Sequence, residues 1–68
     1  MFTYDVDVHF KDIGWDTYTV HSYCIDHARY KAIRRVIDES YSVYLNNAID
    51  CMRIYKSGTD KLLREYNI

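Results

Sequence analysis

Phe2 to Phe10 alternates cleanly along the chain. Phe2, Tyr4, Val6, Val8 and Phe10 fall on one side, and Thr3, Asp5, Asp7 and His9 on the other. A period of two is the signature of a strand with one face buried. Thr17 to Cys24 is rich in Thr, Tyr and Val and predicts a second strand, with Tyr18, Val20, Ser22 and Cys24 at its even positions. Asp12, Gly14 and Asp16 between the two runs favour a hairpin turn. Both apolar faces are even-numbered, so paired residues must have an even sum. Val8 opposite Val20 and Phe10 opposite Tyr18 satisfies this, with a loop of three or five residues or a bulge. That pairing sets Asp7 beside His21 and His9 beside Thr19 on the outer face. The turn segment "KDIGWD" also carries Ile13 and Trp15, two large apolar side chains that turn chemistry does not require.

A helical period follows. Asp26 is placed to cap it. Ala28, Ala32, Ile33, Val36 and Ile37 form one stripe, with Lys31, Arg34, Arg35 and Asp38 opposite. Arg34 with Asp38 and Arg35 with Glu39 stand four apart and can pair. This amphipathic helix is expected to cover the apolar face of the hairpin, the small Ala28 and Ala32 allowing close approach. Beyond "DESYSVYLNN" two readings stand. In one, Ser40 or Ser42 caps a second helix with Tyr44, Leu45, Ala48, Ile49, Met52 and Tyr55 on its buried stripe. In the other the first helix runs to about Leu45, the chain turns at Asn46-Asn47, and "AIDCMRIYK" is a third strand, which would steady a hairpin that is marginal by itself. Gly58 ends this element. Thr59 or Asp60 then caps a short last helix carrying Leu62, Leu63 and Tyr66. The expected fold is one small α+β domain over residues 1–68: an N-terminal antiparallel β-hairpin packed on an amphipathic helix, then a second helix or third strand, then a short C-terminal helix.

Composition narrows the function. Sixty-eight residues bury a modest core, and 49% apolar content suffices to fill it. Eight of eleven aromatics are tyrosines, which suit core edges and interfaces because the hydroxyl needs a partner. Many rings for a small core favour a homodimer or a partner-binding surface. A net charge of −1 supplies no global basic field for nucleic acid or membrane. No apolar run approaches a membrane span and no signal sequence opens the chain, so no membrane partner is expected and a soluble, cytoplasmic protein is. Cys24 and Cys51 lack paired spacing and read as reduced thiols.

The sequence carries no catalytic motif. Gly14 and Gly58 alone cannot build a phosphate loop, and no nucleophile elbow, HExxH or paired-cysteine zinc motif is present. Asp7, His9 and His21 share the outer hairpin face and are the best metal candidates. A solvated carboxylate–histidine face is the preferred reading, with no metal and no cofactor. Cys24 and His27 stand three apart, and a buried structural cysteine accounts for the first. Lacking a pocket and a positioned pair of groups, the chain is expected not to be an enzyme.

Two binding modes remain. The first is a protein-binding module anchored by Ile13, Trp15, Tyr23 and Tyr30. Starting at Met1, the chain reads as a whole gene product, of a size and composition common in phages and mobile elements, where such products often inhibit a host protein by binding it. The alternative is nucleic-acid binding through Arg29, Lys31, Arg34 and Arg35, with Tyr30 among them. In this connection "TYTVHSYCI", "DHARYKAIRR" and "SYSVYLNNAIDCMRIY" resemble, over Thr17 to Tyr55, the order of the ribbon-helix-helix family. That resemblance implies a dimer whose strands enter the major groove. The strand departs from it in having no Lys, Arg, Asn or Gln for base edges.

Overall fold

The computed structural model describes residues 1–40 and 48–67. Within these residues, four antiparallel strands form one sheet, and one helix crosses a single face of it. The elements are β1 (Phe2–Phe10), β2 (Gly14–Ser22), α1 (Ile25–Ser40), β3 (Ile49–Lys56) and β4 (Leu62–Asn67), and the sheet order is β2-β1-β3-β4.

The hairpin keeps the even-sum parity but shifts its register. Val6 faces Tyr18, Tyr4 faces Val20, and Phe10 faces Gly14. The Ile13 amide donates to the Phe10 carbonyl at 3.3 Å, and Gly14 follows at φ 103°, a conformation that L side chains rarely adopt. The turn is therefore tight, and β2 starts at Gly14. Three residues, Lys11 to Ile13, join the strands, one of the expected loop lengths; Trp15 lies in β2, and Val8 faces Asp16 in place of Val20. Asp7 pairs with Thr17 and His9 with Trp15, so the expected Asp7–His21 and His9–Thr19 neighbours do not form.

α1 begins one residue before the expected cap. The Ala28 amide donates to the Cys24 carbonyl, so Asp26 sits in the first turn. Its carboxylate instead accepts from the Tyr66 hydroxyl at 2.7 Å and from Arg64 at 3.0 Å, tying β4 to the helix. Ala28, Ala32 and Val36 are fully buried against the sheet. Their small volume brings α1 close to Val6, Val8, Met52 and Ile54, the fully buried centre of the core. The pairs Arg34–Asp38 and Arg35–Glu39 form at 3.7 and 3.0 Å. Cys24 is exposed, since β2 ends before it.

The expected hairpin with two or three helices is corrected. Ile49–Lys56 is a strand paired with β1, and Leu62–Asn67 is a strand paired with β3, not a helix. Both carry a register irregularity. Phe10 faces Ile49 while His9 faces Cys51, leaving Asp50 as an extra residue. Ile54 faces Arg64 while Tyr55 faces Leu62, leaving Leu63 as another. Ile49 and Met52 are thus both buried three residues apart, a spacing that mimics a helix. Positions 41–47 lie outside the described residues, with the Ser42 cap, Tyr44, Leu45 and the Asn46-Asn47 turn placed there. Without a second helix over Ile49 to Tyr55, the ribbon-helix-helix order does not hold.

Candidate functional site

α1 covers one face of the sheet, and among the described residues the other is left bare. The bare face carries the odd positions of β1, β2 and β3. Three rows cross it: Trp15–His9–Cys51–Asn67, Thr17–Asp7–Arg53–Glu65 and Thr19–Asp5–Tyr55–Leu62. Thr17 donates to Asp7 at 2.8 Å, and Thr19 donates to Asp5 at 2.9 Å. An open groove of about 430 Å³ runs over Asp5, Asp7, Thr17 and Tyr55 to Thr59 and Asp60.

Trp15 stands at one corner of this face, 49% exposed. Its ring lies 4.9 Å from that of His9, tilted by 58°. The Arg53 guanidinium reaches across β1 and sits 4.8 Å from the indole centroid. Arg53 is fixed in turn by Glu65 on β4, Nε to carboxylate at 2.6 Å. His9 is fixed by Asp50, the bulge residue, also at 2.6 Å. A chain of side chains therefore spans all four strands and holds the indole from below. The hydrogen bond from Arg53 pulls the Glu65 carboxyl below the usual glutamate range and pushes the Arg53 guanidinium up. Burial, then the Glu65 charge, raises the Cys51 thiol, which keeps it protonated and a poor nucleophile.

The residues singled out for partner binding do not form one patch. Ile13 (71% exposed) and Trp15 lie at the turn end of β2, while Tyr23 (70%) and Tyr30 (62%) lie at the other end. At a rise of about 3.3 Å per residue, eight residues along the chain separate Trp15 from Tyr23 by roughly 25 Å. Trp15 faces the side of the sheet opposite α1, beside His9 and Arg53. His9, Asp50, Arg53 and Glu65 complete its setting. The alternation of the first strand placed His9 outward, but Arg53 and Glu65 required the β3 and β4 registers.

The basic residues of α1 are engaged within the chain. Lys31 donates to the His21 carbonyl, and Arg35 to the Thr19 carbonyl at 2.7 Å, capping the free edge of β2. Arg34 pairs with Asp38, and Arg29 stacks 4.6 Å over Tyr66. Lys31, Arg34 and Arg35 line, with Tyr30, Thr19 and His21, a groove of about 470 Å³ between α1 and β2; Arg29 is directed away from it. His27 stacks on Tyr30 and not on Cys24. Among the described residues no group of three or more His, Cys, Asp or Glu side chains is placed to hold a metal ion, and no helix is long and apolar enough to cross a membrane. Compared with models of protein families, with curated proteins and with solved structures, the chain finds no match.

Proposed function

We propose that this chain is a non-enzymatic protein-binding module of the cytoplasm that engages its partner through the bare sheet face, with Trp15 as the anchor. One observation carries the reading. A half-exposed indole is held in place by His9 and Arg53, and each of those is fixed by a carboxylate at 2.6 Å. The buried core closes through Tyr4, Val6, Val8, Phe10, Tyr18, Val20, Met52 and Ile54 without this ring. Trp and Arg dominate binding hot spots because they offer large contact areas. A ring already immobilised loses little entropy when a partner covers it. The face is broad and open, which suits a protein surface better than a small molecule. By occupying a surface of its target, a domain of this size inhibits it without chemistry.

The test is quantitative capture from a lysate of the native source, with tagged wild type, Trp15→Ala and Tyr23→Ala. A partner held by wild type and by Tyr23→Ala is expected to fall at least about tenfold with Trp15→Ala, the scale of a hot-spot loss. A partner retained equally by Trp15→Ala sinks the proposal.

A further inference from the structure

The groove between α1 and β2 has no carboxylate in its lining. Lys31 and Arg35 line it, each bonded to a β2 carbonyl, with Arg34 and the exposed Tyr30 beside them; Arg34 and Arg35 also pair with Asp38 and Glu39, which stand outside the lining. Among the described residues, the hairpin tip is a projection of complementary chemistry. At the hairpin tip, Ile13 is 71% exposed and is flanked by Asp12 and Asp16, with Lys11 the single cation. Tip and groove lie at opposite ends of the same edge strand, β2. Two copies laid antiparallel along their β2 edges therefore bring each tip to the other's groove, twice, about a two-fold axis beside Thr17. A two-fold contact needs this self-complementarity, one patch meeting a different patch reciprocally.

We infer that the second occupant of this edge is another copy of the chain, the tip of each protomer seated in the α1–β2 groove of its partner. The contact is made by side chains, not by strand addition. Lys31 and Arg35 already occupy the His21 and Thr19 carbonyls, and Asp16 accepts from the Thr17 amide at 2.9 Å. The bare face that carries Trp15 takes no part, so the dimer stands or falls independently of the partner-binding reading. An axis perpendicular to the sheet leaves both Trp15 faces on one side of the assembly.

The experiment is sedimentation equilibrium of the full chain at roughly 10 µM to 1 mM. Wild type is expected to move from 8.2 kDa toward twice that mass. Asp12→Lys and Arg34→Glu alter exposed side chains, and far-UV circular dichroism checks that each still folds. Each variant alone is expected to stay monomeric, because like charges then meet at both tip–groove contacts. Mixed in equal amounts the two are expected to form a heterodimer, in which both contacts again join opposite charges. Wild type that stays monomeric throughout overturns the inference and leaves the groove to an acidic, apolar segment of another protein. A wild-type dimer whose two variants remain dimeric alone, or fail to associate when mixed, overturns it as well.

Discussion

Replacing Trp15 by alanine separates an available anchor from a core residue by magnitude. A fully buried tryptophan removes about 150–250 Å² from water. Trp15 is 49% exposed, so roughly 100 Å² is at stake. At about 25 cal/mol per Å² that gives about 2.5 kcal/mol as an upper bound, since the unfolded chain already buries part of its surface. The indole also rests on His9 and Arg53, polar groups that gain water when it leaves. A loss of about 1–2 kcal/mol is expected. Met52 is fully buried at the centre of the core, and Met52→Ala is expected to cost about 2–5 kcal/mol. Urea unfolding followed by far-UV circular dichroism compares the two without relying on tryptophan emission. For a domain of this size each kcal/mol moves the melting temperature by about 4–8 °C, so a difference of about 1 kcal/mol between the two variants is resolved. If Trp15→Ala is as damaging as Met52→Ala, the ring belongs to the core and the reasoning fails.

Gly14→Ala meets no atom within 4 Å, so only its positive φ opposes it, and a loss of about 1–2 kcal/mol is expected by denaturant unfolding; a neutral result contradicts the tight turn. Glu65 has its folded-state pKa lowered by Arg53, so its contribution is present above the unfolded glutamate value of about 4.3 and is lost as pH falls through the lower folded value. NMR titration is expected to show Glu65 changing below the ordinary range, with the Trp15 indole signal moving in the same window; independent movements break the proposed link. Asp26→Ala removes the acceptor for Tyr66 and Arg64, so amide hydrogen exchange is expected to speed up in β4 while β1 amides hold; uniform acceleration instead shows that Asp26 supports the whole fold.

The first half of the fold was legible because its signals were unbroken. Phe2 to Phe10 alternates without interruption, and Ala28, Ala32 and Val36 keep helical spacing, so the hairpin and α1 follow from period alone. Parity fixed which faces pair but not the offset between them. That offset depends on Gly14 taking a positive φ, one residue's backbone choice. The third strand stands only as one of two readings, and the fourth reads as a helix; bulges blur both. Asp50 and Leu63 are extra residues, which place Ile49 and Met52, and Leu63 and Tyr66, three apart where a regular strand would place them two or four apart. A three-residue spacing reads as helix. The Trp15 site was half legible for the same reason. His9 lies in the strand that alternation revealed, whereas Arg53 joins the indole only through the β3 register, across 38 positions of sequence.

Quenching of the single tryptophan's fluorescence by acrylamide most directly tests whether the bare sheet face is the binding surface. The free protein is expected to show the strong quenching of an accessible indole, and its complex with the captured partner a several-fold weaker one. An indole already shielded in the free protein, or quenched equally in the complex, contradicts it.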